Sequence, residues 1–176
     1  GKFIGLHKQK NLPYSFLDIL STDIKKLFPQ PTLIELDGEK QEALFVSILL
    51  HGNEFSGLQV MQEILEKYKK DNGFFLARKL FLFIGNVDAA EANLRRLDGQ
   101  VDFNRGWPGT QYPNSDTAKI LQEVMDTLAQ EKLFAAVDIH NNTGENPHYG
   151  CISVVNEENQ KLCELFSELS LVIESP

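Results

Sequence analysis

Ala43-Leu44-Phe45-Val46-Ser47-Ile48-Leu49-Leu50 leads directly into His51-Gly52-Asn53-Glu54. A continuous apolar run of this length suits a strand buried on both faces better than a half-exposed one, which would alternate. Gly52 and Asn53 then permit a sharp turn. Residues 55–70 carry a helical pattern in Leu58, Met61, Ile64, Leu65 and Tyr68. The reading places His51 where a strand ends and Glu54 in the first turn of the following helix. A second apolar strand, residues 133–140, ends in the same way on Asp138-Ile139-His140, with Asn141 next.

Outward from these two strands the chain alternates strand and helix. Residues 32–36 read as a strand, with Asp37-Gly38 as a hairpin turn into the His51 strand. Residues 79–86 form a third strong strand and 88–94 a short helix. Residues 98–115 hold Gly99, Gly106, Trp107-Pro108-Gly109 and Pro113, so they read as a loop, and long loops in compact domains are commonly functional. Ser115 or Asp116 caps a helix through Gln130 with Ile120, Leu121, Val124 and Leu128 on one face. Residues 151–155 read as a strand, 157–169 as a helix and 171–173 as the start of another strand. Residues 15–28 are weakly helical, ended by Pro29 and Pro31. The expected fold is α/β: a mixed, largely parallel sheet flanked by helices on both faces, in one domain spanning 1–176.

The strand ends carry the chemistry. Two imidazoles and one carboxylate, His51, Glu54 and His140, are the ligand set of a catalytic zinc site whose fourth position is left for water or substrate. In open α/β sheets, sites form at such carboxyl strand ends. His-x-x-Glu alone also describes a helix N-terminus with a favourable acid. The second strand-end histidine and the intervening Asn104-Arg105 favour the metal. Asp138 lies two positions before His140, so both side chains leave the same face of the strand. A carboxylate there can accept a ring N–H from a metal-bound histidine, although the sequence does not say which one. Arg105 presents a planar fork matched to a carboxylate, with Asn104 as a neutral donor beside it. His7 and His148 lack ligand spacing, and Phe81 and Phe83 read as core.

As a set, His51-Gly52-Asn53-Glu54, Asp102-Phe103-Asn104-Arg105 and Asp138-Ile139-His140-Asn141 resemble three motifs of the zinc carboxypeptidase-like hydrolases. The closer resemblance is to the succinylglutamate desuccinylase/aspartoacylase branch, with its H-G-N-E, D-x-N-R and D-x-H-N signatures and a compact interval between Glu54 and His140. It runs from about Leu33 to about Val155. It implies one zinc per chain and a substrate carboxylate held by Asn104 and Arg105, with Asn141 at the pocket rim. It also implies an arginine upstream of the Asn-Arg pair that stabilises the oxyanion at the scissile carbonyl. Arg96 is the better candidate, but Asp98-Gly99-Gln100 makes this stretch one residue longer than the usual pattern, which leaves Arg95 open. Asn142, Thr143 and Asn146-Pro147-His148-Tyr149 should also rim the pocket.

Composition bounds the alternatives. At 176 residues, 42% hydrophobic and 24% charged, the chain is an ordinary globular domain able to bury a substantial core. No apolar stretch approaches the roughly 20 residues of a membrane span. A net charge of −8 with no basic patch argues against nucleic acid, yet a few arginines focused in a cleft still suit a small anionic substrate. Cys151 and Cys163 could pair, though two cysteines without a secretory signal read as reduced thiols. The expectation is a cytoplasmic zinc hydrolase that cleaves the amide bond of a small anionic N-acyl amino acid, its oligomeric state open. A carboxypeptidase acting on peptides, or a non-catalytic metal- and carboxylate-binding domain, are the alternatives. The family's general base is a glutamate on a strand well after the third ligand. Glu145, Glu157, Glu158, Glu164, Glu168 and Glu174 suit it poorly, so the chain reads as the N-terminal catalytic portion of a longer enzyme.

Overall fold

The computed structural model describes residues 4–141 and, for the backbone, 150–154. In chain order come β1 (His7–Gln9), two 3-10 turns at Tyr14–Leu17 and Ser21–Lys26, β2 (Thr32–Leu36), β3 (Gly38–Ile48) and α1 (Ser56–Lys67). A small hairpin of β4 (Lys69–Lys70) and β5 (Gly73–Phe74) comes next, then β6 (Leu76–Ile84), α2 (Val87–Glu91), a 3-10 turn at Phe103–Arg105, α3 (Asp116–Leu128), β7 (Leu133–Asn141) and β8 (Gly150–Val154). Among the described residues the main sheet has the order β1-β2-β6-β3-β7-β8. The β1–β2, β3–β6 and β3–β7 pairs are parallel, and the β2–β6 and β7–β8 pairs antiparallel. This is the expected mixed, largely parallel sheet.

Both faces are covered, which is why β3 is apolar without alternation. Val46 and Ile48 face one core with Leu58, Met61 and Leu65 of α1. Ala43 and Phe45 face the other with Ile120, Leu121 and Val124 of α3. Full burial of each larger side chain stabilises by roughly 1.5–3 kcal/mol, so these contacts rather than helix propensity hold α1 and α3 in place. Phe81 and Phe83 are core, as expected. Ser115 caps α3 by accepting from the Ala118 N–H at 3.1 Å.

Three expectations need correction. The turn at Asp37-Gly38 joins no hairpin, because β6 lies between β2 and β3 and pairs with both. The buried segment Leu80–Ile84 of β6 fills that central place. The strand leading to His51 stops at Ile48, and α1 starts at Ser56, so Glu54 lies in the connection and not in the first helical turn. Residues 15–28 form two 3-10 turns, each anchored by one buried side chain, Phe16 and Ile24, which is less than the apolar stripe a longer helix needs. The expected helix at 157–169, the strand at 171–173, the rim segment 142–149, Cys163 and Glu174 lie outside the described residues.

Away from the strand ends, a part-buried ion network joins β2 and β6 to the α3–β7 connection. Lys79 Nζ lies 2.8 Å from Glu35 and 3.2 Å from Glu131, and Lys10 reaches Glu35 at 3.4 Å. The Lys79 hydrogen bond holds the Glu35 carboxyl below its ordinary range, against partial burial. A carboxyl with a depressed folded-state pKa contributes stability above its unfolded pKa and loses it as pH falls through the folded value. Lys79→Met keeps the apolar stem and removes the charge, leaving two acids facing. It should lower stability by about 1–2 kcal/mol at pH 7, allowing for solvent screening, and by less below the ordinary glutamate range. Urea denaturation of both proteins at pH 7 and pH 3 measures the narrowing. A gap that stays constant would remove the network as its cause.

Candidate active site at the carboxyl ends of two parallel strands

β3 and β7 run parallel with Ser47 opposite Asp138, so the residues beyond both strands emerge at one edge of the sheet. After Ile48 the chain turns at Leu49, whose φ of 55° is the left-handed region rarely adopted by a branched side chain. The turn is held from both sides. Leu49 and Leu50 are buried, and the carbonyls of Ile48 and Leu49 accept from the Gly85 and Asn86 N–H groups at 3.1 and 2.7 Å. Gly52 then packs so tightly on α2 that a Cβ would stand 2.2 Å from backbone atoms of Ala89 and Ala90. Its N–H donates to the Arg95 carbonyl at 3.2 Å, tying the His51 turn to the segment after α2.

His51 is buried with a carboxylate on each ring nitrogen. Nδ1 stands 3.0 Å from Glu54 Oε2, and Nε2 stands 3.0 Å from both oxygens of Asp102. Burial disfavours the protonated ring, but the Glu54 hydrogen bond and charge, with Asp102, outweigh it and raise the His51 pKa above its ordinary value. Asp102 is itself fixed as the cap of the 3-10 turn, accepting from the Asn104 N–H at 2.9 Å. Arg95 lies across the two acids, 3.6 Å from Glu54 Oε1 and 3.7 Å from Asp102 Oδ2, with its side chain half exposed.

The expected site residues divide on this geometry. His51 and Glu54 come together, and Asn104 sits beside them with Nδ2 3.5 Å from His51 Nε2. Arg105 is exposed, next to Asn104 in the same turn. Arg96 turns away: its Nη1 donates to the Gln100 carbonyl at 2.8 Å, so Arg95 and not Arg96 meets the acids. Gln100, the residue of the longer stretch, is locked in turn, its Oε1 accepting from Asn86 Nδ2 and the Leu97 N–H. Asp138 pairs with His140, Oδ2 to Nδ1 at 3.2 Å, and its other oxygen accepts from Ser47. Burial pushes the Asp138 carboxyl up, partly offset by the Ser47 hydrogen bond and by His140, while the Glu54 charge adds to the rise. Asn141 accepts from the Ser56 N–H at the start of α1 through its side-chain oxygen, at 3.2 Å.

Two residues of this cluster, Asp102 and Ser47, are not singled out by the sequence patterns. Asp102 enters there only as a motif letter, and its signal is an acid two residues before an Asn-Arg pair, where a short turn needs a cap.

His51 and Glu54 fit a metal by donor chemistry. A neutral imidazole nitrogen and a carboxylate oxygen 3.0 Å apart can both ligate one ion at the roughly 2.0–2.2 Å of zinc bonds. The opposite ring nitrogen already faces a carboxylate, the usual arrangement behind a ligating histidine. Among the described residues no group of three or more His, Cys, Asp and Glu side chains is arranged to hold a metal ion, so the three expected ligands do not form a closed set in this structure. A cleft of about 660 Å3, lined in part by Asn86, Gln100, Val101 and Phe103, contains none of His51, Glu54, Arg95 or His140. The charged cluster, where pKa values shift and donors converge, is the better site.

Over residues 40–172 the sequence matches the family described as the succinylglutamate desuccinylase/aspartoacylase catalytic domain. No curated protein matches it. Among solved structures, it is similar to the crystal structure of succinylglutamate desuccinylase from Vibrio cholerae, at 13% identity and a TM-score of 0.47. That likeness covers 62% of this chain and 33% of the other, so the chain spans about a third of the structure it matches.

Proposed function

The chain belongs to the succinylglutamate desuccinylase/aspartoacylase catalytic-domain family, and from that premise we propose a zinc-dependent hydrolase that cleaves the amide bond of an N-acyl amino acid. The contacts around His51 carry the reading: a buried imidazole between Glu54 and Asp102, with a guanidinium across both acids. His51 and Glu54 would hold the zinc, with His140 as the third ligand that the family motif implies, and the ion would supply Lewis acidity at the scissile carbonyl. Asp102 accepts the Nε2–H of His51 and so fixes which ring nitrogen is free to ligate. Arg95 stabilises the oxyanion that develops as the amide is attacked, and Asn104 with Arg105 orients the substrate carboxylate. Among the described residues no helix is long and apolar enough to cross a membrane.

Hydrolysis of a panel of N-acyl amino acids beside short peptides by the full-length protein, with zinc and with chelator, tests the proposal. Cleavage of the acyl amino acids alone, lost with chelator, is the expected result. Cleavage confined to peptides would make the protein a carboxypeptidase, and zinc binding without turnover of either class would make it a binding domain. Within an active protein, Arg95→Ala should lower kcat by about 10²–10³, the cost of one oxyanion donor, while Arg96→Ala stays close to wild type. The reverse ranking would return the role to Arg96.

A further inference from the structure

Asn86 is the one fully buried side-chain amide among the described residues, 1% exposed just past the end of β6. Burial there demands partners for its donors and acceptors, and the residue finds them in three directions. Its main-chain N–H donates to the Leu49 carbonyl at 2.7 Å, in the turn that presents His51. Its Oδ1 accepts from the Ala89 N–H at 3.2 Å, capping the helix on which Gly52 packs. Its Nδ2 donates to Gln100 Oε1 at 2.8 Å, and Gln100 Nε2 returns a longer bond to Oδ1 at 3.4 Å. Gln100 Oε1 also accepts from the Leu97 N–H at 3.0 Å, so this one oxygen gathers the loop that follows α2.

We propose that the Asn86–Gln100 amide pair is the positioning device that sets the spacing between the His51 turn and the loop bearing Arg95 and Asp102. Residues 92–102 contain no helix or strand, so no ladder holds this loop. β6 pairs with a strand on each side, which makes its end a rigid mount. From that mount Asn86 grips the His51 turn through its main chain and the loop through its side chain. Arg95 and Asp102 lie on either side of Gln100 in the chain, and both reach the cluster. Asp102 stands 3.0 Å from His51 Nε2, and Arg95 stands 3.6 Å from Glu54. A loop shift of about 1 Å would break the first contact and weaken the second. The catalytic use of this spacing rests on the hydrolase reading above; the spacing itself does not. Neither Asn86 nor Gln100 belongs to the three motifs that carry the family resemblance.

Gln100→Met in the full-length protein keeps the length of the side chain and removes both bonds to Asn86. Hydrogen exchange of the Gly52 N–H, which donates to the Arg95 carbonyl, reports the loop directly and needs neither metal nor substrate. It should quicken about tenfold relative to the core amides of β3 and β6, whereas a general loss of stability would move all of them together. Against N-acyl amino acids kcat should fall about 10–100-fold with KM within about twofold, because a misplaced oxyanion donor is felt in the transition state rather than in ground-state binding. Gln100→Glu keeps an acceptor for Asn86 Nδ2 and the Leu97 N–H, and should restore most of both readouts. Asn86→Asp keeps the cap on α2 but cannot donate to Gln100. It should resemble Gln100→Met, and it takes that variant's place if Gln100→Met does not fold. Wild-type Gly52 exchange in a folded Gln100→Met or Asn86→Asp protein overturns the proposal, as does wild-type kcat in an active one. A Gln100→Glu protein no better than Gln100→Met overturns it too. Quickened Gly52 exchange in a protein whose wild type cleaves no acyl amino acid supports the positioning role and counts against the hydrolase reading alone.

Discussion

Protein purified without chelator should carry about one zinc per chain, and His51→Ala should carry almost none. His51 offers the Nδ1 that faces Glu54 at 3.0 Å. Residues that only orient a ligating histidine are worth about 10–100-fold in metal affinity, so losing the ligand itself should cost more than a hundredfold. Asp102→Asn supplies the intermediate case. It keeps the shape, but its amide no longer offers two anionic oxygens to His51 Nε2, and a loss of about 10–100-fold is expected. Elemental analysis of the three proteins, followed by chelator competition, measures the ranking. A second readout is thermal: zinc at 100 times its Kd stabilises the native state by about 2.7 kcal/mol, a gain that His51→Ala should not show. Equal zinc in all three proteins would dismantle the site.

Gly52→Ala should lower stability by about 3 kcal/mol or more although it adds a single methyl group. Its Cβ would meet Ala89 C and Ala90 N at 2.2 Å and Ala89 O at 2.6 Å. These are backbone atoms within α2, so no rotamer change relieves the contact and either α2 or the turn must move. Overpacking in interiors typically costs about 1–3 kcal/mol, and a rigid obstacle puts this case at or beyond the top of that range. For a chain of this size the midpoint should fall by about 6–12 °C. The displacement also pulls on the Gly52 N–H to Arg95 carbonyl bond, so metal affinity should fall with stability. Asn53→Ala, one residue on and exposed, is the control and should remain within about 0.5 kcal/mol of wild type. Calorimetry on both variants decides, and a Gly52→Ala midpoint equal to that of Asn53→Ala would refute the packing argument.

Much of this site is legible in the amino-acid sequence, because its signals are local. Apolar runs at 43–50 and 133–140 announce strands buried on both faces, and a histidine at or just past the end of each falls where α/β sheets place their chemistry. The pattern Leu58, Met61, Leu65 has the period of a helix, and these side chains do face one core. Asp138 and His140, two apart on a strand, share a face, and they are found paired. The boundaries are less legible. The apolar run continues through Leu49 and Leu50, but those two residues are buried in the turn and not in the ladder, and hydrophobicity does not distinguish the two.

What only the tertiary structure decided are the pairings between distant segments. No local pattern puts β6 between β2 and β3; that order lets a strand with buried residues on both faces occupy the middle of the sheet. Arg95 and Arg96 are neighbours with the same chemistry. The choice between them is made by Gly52 holding the Arg95 carbonyl and by Gln100 accepting from Arg96, the latter locked by Asn86 on the far side of α2. Asp102 reaches His51 across 51 residues of chain, and Ser47 reaches Asp138 across 91. The sequence by itself determined which chemical groups stand at the strand ends, because strand and helix periods are written in neighbouring residues. Which of those groups touch was decided by the packing of the sheet, because hydrogen bonds of about 3 Å between remote segments depend on how every intervening element is placed.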